Sequence, residues 1–272
     1  MKLHHFALAL SLSLFTTIAH SLKSSAVMPT ILVTAEANVL QVSSTQEDDL
    51  LEQAGELLDL EKYSEALVIF DRVIKMNAQS PLAWMGRGYS FYHLKQYEQA
   101  IAAYQKAIEI NPQWDRVWIE LGNALDDSGK SDEALQAYDR ALELNQKSVS
   151  AWYNRGITLS RLQRFEEALQ ALNQVVSLAP ESELGWFRRG NVLVRLNQLE
   201  DAVESYERAI AINPQSEGAW VNKGLVMANL GQYEEAIAAL QQVLKINPGN
   251  AQAQRVIQEI QKGLANNRTV AT

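Results

Sequence analysis

A tryptophan recurs at one fixed interval through most of the chain. Trp84 is followed by Trp118, Trp152, Trp186 and Trp220, and a glycine stands four residues after each of them. The register holds without insertion or deletion from residue 47 to residue 250. A fixed period of this length indicates a solenoid, in which each structural unit buries its apolar face against the next unit.

The period divides this part of the chain into six units of equal length. The units span residues 47–80, 81–114, 115–148, 149–182, 183–216 and 217–250. When positions are numbered from 1 to 34 within a unit, positions 4, 7, 8 and 11 share one helical face, and positions 20, 24 and 27 share another. Each unit is therefore predicted to hold two amphipathic helices, helix A and helix B. A glycine inside a helix costs about 1 kcal/mol, so the glycine at position 8 predicts a close approach to the alanine at position 20.

Serine and basic residues also repeat with this period. The serines at position 34 are Ser80, Ser148, Ser182 and Ser216. Each is predicted to accept a hydrogen bond from the backbone N–H groups that open the next helix A. The basic residues at position 7 are Arg87, Arg155, Arg189 and Lys223. Their alkyl stems are expected to lie over the helix packing while their charges reach water.

These residues resemble the tetratricopeptide repeat family. The family pattern has Trp at position 4, Leu at 7, Gly at 8, Tyr at 11, Ala at 20, Phe or Tyr at 24, Ala at 27 and Pro at 32. The resemblance covers residues 47–250 and implies an all-α, right-handed α-solenoid of six helix–turn–helix repeats. Residues 251–264 are predicted to form a capping helix, because their apolar residues lie on one face, and residues 265–272 are expected to be a disordered tail.

The N-terminal segment has the pattern of a secretory signal peptide. Residues 1–26 contain Lys2, an uncharged and mostly apolar run, and small residues that place cleavage after Ala19 or Ala26. A retained membrane anchor is the alternative. Residues 27–46 are interpreted as a linker. The protein is accordingly expected to be exported, to a periplasmic, secreted or membrane-associated location.

Composition excludes several kinds of site and disfavours one class of partner. The 272 residues include no cysteine, so disulfides, thiolate nucleophiles and zinc–thiolate sites are excluded. The 32 acidic side chains outnumber the 24 basic ones, which argues against nucleic acid as the main partner. Three of the four histidines lie in the first 20 residues, and no constellation of catalytic or metal-ligating residues emerges elsewhere. We expect neither catalysis nor a cofactor, a metal or a small-molecule substrate.

The remaining candidate is a surface on helix A. The resemblance implies that positions 2, 5, 6, 9, 12 and 13 line a concave groove that holds a peptide. The candidate contact residues are Tyr89, Tyr92, Asn123, Tyr153, Asn154, Arg161, Phe187, Arg188, Asn191 and Arg195. The first and third units present mainly acidic groups and the fourth and fifth mainly basic ones, so the basic half is predicted to engage carboxylates of a partner.

The predicted function is a non-enzymatic scaffold that binds a protein or peptide partner. One alternative is a membrane-tethered assembly factor or chaperone for an envelope or membrane protein complex. Another is a regulatory or recruiting subunit of a separate enzyme.

Overall fold

The computed structural model describes residues 33–270, and it describes side chains for residues 46–265. Within this range the chain forms helices and no strand. The helices are α1 (Val33–Asp59), α2 (Tyr63–Met76), α3 (Pro81–His93), α4 (Tyr97–Ile110), α5 (Asp115–Asp127), α6 (Ser131–Leu144), α7 (Val149–Arg161), α8 (Phe165–Leu178), α9 (Glu183–Arg195), α10 (Leu199–Ile212), α11 (Glu217–Asn229), α12 (Tyr233–Ile246) and α13 (Ala251–Val270).

The helix bounds repeat with the period of the sequence. Helix A begins at Pro81, Asp115, Val149, Glu183 and Glu217, at the same interval as the tryptophans. Each helix A is followed by a helix B of 14 residues. The predicted class, an all-α solenoid built from helix–turn–helix repeats, is confirmed.

The chain divides into two compact units, each larger than a single repeat and called here the N-terminal unit and the C-terminal unit. Each has its own buried core. The N-terminal unit ends at Glu133 and the C-terminal unit begins at Ala134. In the N-terminal unit, helices α1 to α5 pack against one another in sequence order, and the buried core includes Phe70 and Val73. In the C-terminal unit, helices α7 to α13 do the same, and the fully buried side chains include Leu172.

Both ends of the repeat region differ from the prediction. Helix α1 begins at Val33, inside the predicted linker 27–46, and helix α13 runs to Val270, beyond the predicted cap 251–264 and into the tail that was expected to be disordered. The reason at the N-terminal end is that residues 33–47 contain no glycine or proline to stop a helix. The predicted signal peptide and residues 271–272 lie outside the described residues.

The glycine at position 8 marks a close approach, as predicted, but its nearest neighbour is the residue at position 24. The position 20 alanine is met at Gly224, where an added Cβ would lie 3.3 Å from the Ala236 carbonyl oxygen. A Cβ atom added to Gly88 would lie 2.6 Å from the ring of Tyr104, and one added to Gly190 would lie 2.6 Å from the ring of Tyr206. Both tyrosines occupy position 24 of helix B, not position 20. The larger side chain at position 24 therefore fills the space that the glycine leaves.

The serines at position 34 act in different ways. Ser148 accepts a hydrogen bond from the N–H of Ala151, and Ser182 accepts one from the N–H of Gly185, as predicted for N-caps. Within the described part of the chain, Ser80 and Ser216 make no such cap. The Ser216 hydroxyl instead donates to the carboxylate of Glu183, at the start of the same repeat, and Ser80 is followed by a proline at the first helical position.

The recurring tryptophan fixes the turn before its own helix. The indole Nε1 of Trp152 donates to the carbonyl oxygen of Gln146 at 2.9 Å, and Trp186 donates to Pro180 at 2.8 Å. The same bond spans six residues at each of the other three tryptophans. The tryptophan period therefore reflects hydrogen bonding in the turns as well as packing.

The basic residues at position 7 do not simply extend into water. Arg155 donates from Nε to Asp139 at 2.7 Å, and Lys223 donates to Glu207 at the same distance. Each acid lies 16 residues earlier, on the preceding helix B, and each basic group also lies over the tryptophan of its own helix. Their side chains are only 19% and 16% exposed, and the counter-charge on the neighbouring helix offsets the cost of this burial. These bonds join consecutive repeats.

Candidate functional site

A cleft of about 350 Å³ opens on α7 and α9 of the C-terminal unit. It is lined by Ile157, Ser160, Arg161, Leu172, Arg188, Asn191, Val192 and Arg195. Four of the predicted groove residues are in this set, and three of them are arginines. None of the eight lining residues is acidic. The three arginines give the cleft a positively charged wall, and Ile157, Leu172 and Val192 form an apolar floor.

Two of these arginines are held by aromatic neighbours. Arg188 donates from Nε to the hydroxyl of Tyr153 at 3.4 Å, and its guanidinium lies 5.9 Å from the ring centre of Phe187. The guanidinium of Arg195 lies 4.6 Å from the ring centre of Phe165. Tyr153 and Phe187 were among the predicted contact residues of the groove. In the structure they also orient Arg188, which reduces the rotamer freedom that binding would otherwise remove.

Asn191 is positioned by a network that the sequence did not reveal. Its side-chain carbonyl oxygen accepts a hydrogen bond from the Tyr206 hydroxyl at 2.9 Å and another from the Asn222 amide at 2.8 Å. Burial raises the pKa of Tyr206 above its usual value, so its hydroxyl keeps the proton that it donates. Because both bonds use the carbonyl oxygen, a ligand bond from Asn191 would come from its amide NH₂ group. The cleft residue is thus oriented from α10 and α11.

The other predicted residues lie outside the residues that line this cleft. Asn154 is half-buried on α7. In the N-terminal unit, the Asn123 amide donates to Glu120 at 3.3 Å on α5. This bond uses one N–H of the amide within its own helix, and the predicted contact of Asn123 with a partner stays a prediction.

Tyr89 and Tyr92 belong to an aromatic cluster in the N-terminal unit. The ring of His93 stacks on Tyr63 with a centroid distance of 4.6 Å, lies 4.3 Å from Tyr89 and meets Tyr92 edge-on at 5.4 Å. The Tyr92 hydroxyl donates to the Asp127 carboxylate at 2.6 Å. Burial and nearby acidic groups raise the pKa of Tyr89 to about 12. Tyr63 was missed as a member, although its place at the start of helix B was visible in the sequence.

The described side chains offer no metal site and the described helices offer no membrane span. Among residues 46–265, no three acidic or histidine side chains converge as metal ligands. None of the helices in the described range is both long enough and apolar enough to cross a bilayer.

Comparison with known proteins identifies the repeat. The sequence profile described as Tetratricopeptide repeat matches residues 51–113, 119–183 and 187–251. Comparison with curated proteins finds no match.

Several solved structures share the fold. YrrB, described as a TPR protein with an unusual peptide-binding site, is 22% identical with a TM-score of 0.61, over 70% of this chain and 97% of its own. MamA from Desulfovibrio magneticus RS-1 is 18% identical with a TM-score of 0.59, over 63% and 97%. PilF from Pseudomonas aeruginosa is 16% identical with a TM-score of 0.68, over 80% and 99%. These identities establish a common fold alone. Repeats of this kind are generally non-enzymatic. The chain belongs to the tetratricopeptide repeat family, whose repeats serve as scaffolds for protein–protein interaction.

Proposed function

We propose that this chain is an exported interaction scaffold whose C-terminal unit captures an acidic segment of a partner protein. The observation that carries the proposal is the convergence of Arg161, Arg188 and Arg195 on one cleft without an acidic lining residue. Three guanidinium groups around one cleft create a positive field that attracts an anion. Carboxylates suit this geometry, since the planar guanidinium fork can hold both carboxylate oxygens.

The surroundings of the arginines favour a peptide over a free small anion. The cleft floor includes the apolar side chains of Ile157, Leu172 and Val192, of which the half-buried Ile157 would contact an aliphatic part of the ligand. Asn191 adds an amide that can bond a peptide backbone carbonyl. YrrB, which shares the fold, is described as having a peptide-binding site. An extended segment with glutamate or aspartate side chains meets these chemical requirements together.

The first test measures binding of a labelled peptide of alternating glutamate and glycine by fluorescence anisotropy. The variant Arg161→Glu/Arg188→Glu/Arg195→Glu should weaken binding by more than about tenfold. Charge-assisted hydrogen bonds contribute about 1.5–3 kcal/mol each, and about 1.4 kcal/mol corresponds to tenfold in affinity. Added salt should weaken the wild-type complex, because the attraction between exposed charges is screened.

The matched control carries the same change in charge away from the cleft. Arg208→Glu/Arg255→Glu/Lys262→Glu reverses three exposed basic residues of the same unit, none of which lines the cleft. This control should bind the acidic peptide as the wild type does, apart from a small general charge effect. Equal binding by the cleft variant and the control, at equal helicity by circular dichroism, would refute the proposal.

Export is the part of the proposal that rests on residues 1–26. The short basic start, the apolar run and the small residues before Ala19 and Ala26 support it. N-terminal sequencing of the protein from membrane, soluble extracytoplasmic and cytosolic fractions tests it. A mature start after Ala19 or Ala26 would support cleavage and export. An intact leader in the membrane fraction would favour the tethered assembly factor, and an intact leader in the cytosol would contradict export.

A further inference from the structure

The N-terminal unit carries a second polar surface, whose chemistry is opposite to that of the arginine cleft. Its members are Tyr89, Tyr92, His93, Glu120 and Asp127, here called the aromatic–acidic face. They occupy the positions of α3 and α5 that correspond to the cleft-facing positions of α7 and α9. His93 and Asp127 are exposed, and the other three are half-buried.

The geometry of this face is fixed by contacts among its own members. His93 lies within 5.4 Å of the rings of both Tyr89 and Tyr92, and the Tyr92 hydroxyl bonds to Asp127. The Tyr92 bond to Asp127 joins α3 to α5, which are the A helices of consecutive repeats. Aromatic faces and carboxylates are therefore held side by side on one surface.

The buried hydroxyl of Tyr104, beside this face, is a second and independent observation. The Tyr104 side chain is fully buried, and its hydroxyl has no hydrogen-bond partner among the described residues. It lies within electrostatic range of Tyr89, Tyr92 and Glu120. A buried polar group without a partner is destabilising, so an unsatisfied group in a native structure calls for an explanation.

The equivalent tyrosine in the C-terminal unit shows what is missing. Tyr206 occupies the same repeat position as Tyr104, and its hydroxyl is satisfied by Asn191, which itself bonds to Asn222. The residues of the N-terminal unit that stand at the positions of these two asparagines are Tyr89 and Glu120. An internal hydrogen bond that the fold can make has thus been replaced by an aromatic ring and a carboxylate. Tyr89 packs against the buried core of this unit, so the replacement exchanges the hydrogen bond for aromatic packing and leaves the Tyr104 hydroxyl unsatisfied.

The electrostatics of the face favour a cation. The carboxylates of Asp59 and Glu120 lie within electrostatic range of Tyr89, and those of Asp127 and Glu120 lie within range of Tyr92. The charge of Arg116 offsets part of this negative field at Tyr89. A cation over an aromatic face is attracted by the ring quadrupole, and neighbouring carboxylates add to that attraction. Lysine and arginine side chains combine such a cation with an alkyl stem that can lie against the rings.

We propose that the aromatic–acidic face binds a basic segment of a partner protein, with a lysine or arginine side chain placed against Tyr89 and Tyr92 and paired with Glu120 and Asp127. The site is on a different unit from the arginine cleft and takes the opposite charge. It therefore goes beyond the proposed function, and either proposal can fail without the other.

The test is the binding of a labelled peptide of alternating lysine and glycine to the full chain, followed by fluorescence anisotropy. Glu120→Gln/Asp127→Asn keeps the side-chain shapes and removes both charges, and it should weaken binding by about tenfold. Glu56→Gln/Glu98→Gln is the matched control, because it neutralises two exposed acids of the same unit outside the face. The control should bind as the wild type does.

A second variant separates the role of the rings from that of the charges. Tyr89→Leu/Tyr92→Leu keeps apolar bulk but removes the aromatic faces, and it should weaken the lysine peptide by about tenfold while leaving the glutamate peptide unaffected. Tyr233→Leu removes a partly exposed tyrosine elsewhere and should change neither. If the lysine peptide does not bind the wild type, or binds both face variants as tightly as their controls at equal helicity, the proposal is overturned.

Discussion

Tyr104 and Tyr206 form a matched pair whose hydroxyl groups should contribute to stability with opposite signs. Both stand at position 24 of helix B, both are buried, and both lie against a glycine of helix A. The Tyr206 hydroxyl donates to Asn191 at 2.9 Å, whereas the Tyr104 hydroxyl has no partner among the described residues. The substitution Tyr→Phe removes one oxygen atom and leaves the packing unchanged.

The magnitudes follow from the state of each hydroxyl. A satisfied hydrogen bond contributes about 0.5–1.5 kcal/mol, so Tyr206→Phe should lower the free energy of unfolding by about 1 kcal/mol. A buried group without a partner is destabilising by about 1–3 kcal/mol, so Tyr104→Phe should raise that free energy by about 1 kcal/mol or more. The two variants should therefore differ by about 2 kcal/mol or more.

Urea unfolding followed by circular dichroism measures this difference. The midpoints should move in opposite directions, with unchanged slopes if the compactness of the end states is unaffected. If Tyr104→Phe destabilises the protein as much as Tyr206→Phe does, the Tyr104 hydroxyl has a partner. The reasoning that links Tyr89 and Glu120 to a ligand would then lose its basis.

Three further sets of substitutions test the packing and the turns of the helices. Gly190→Ala should destabilise the protein by about 1–3 kcal/mol, because the new Cβ would lie 2.6 Å from the Tyr206 ring. Gly263→Ala meets no atom within 4 Å and should stabilise α13 by about 0.5–1 kcal/mol. Thermal unfolding compares the two variants. Arg155→Leu should destabilise the protein by about 1 kcal/mol, because it removes the bond to Asp139. Adding Asp139→Gln should recover part of the loss, since Leu121 and Gln105 already occupy this pair of positions in a neighbouring repeat pair. A double-mutant cycle that shows no coupling would contradict this expectation. Lys95→Gly and Gln163→Gly should each stabilise the protein by up to about 1 kcal/mol, because both residues have a positive φ at the position where two other repeats carry glycine. Lower unfolding midpoints for these variants would contradict this expectation.

The period of the sequence predicted the helices well because it reports directly on packing. Trp152 and Gly156 lie on a face that must be buried, and six copies of the pattern fix the register of every helix between residues 47 and 250. The ends were predicted poorly because the periodic pattern does not reach them. Residues 33–46 and 265–270 lie outside the repeat, so the absence of helix breakers was the only signal there.

The site was predicted in part. Arg161, Arg188 and Arg195 were chosen from their positions on helix A, and the structure brings all three to one cleft. The support of Asn191 by Tyr206 and Asn222 was not foreseen, because these residues come from three helices and meet only through packing. The basic residues at position 7 bond to an acid on the preceding helix B or, for Arg189, to Asn173. The joint exchange to Leu121 and Gln105 was present in the sequence, but its meaning required the geometry of neighbouring repeats.

The central claim is that the arginine cleft holds the carboxylates of a partner segment. The most direct measurement is NMR of the arginine side-chain Nε–Hε groups during titration with the peptide of alternating glutamate and glycine. The signals of Arg161, Arg188 and Arg195 should shift together and saturate at the affinity found by anisotropy, while that of Arg208 on α10 stays in place. Shifts confined to arginines outside the cleft, or equal small shifts at all arginines, would contradict the claim.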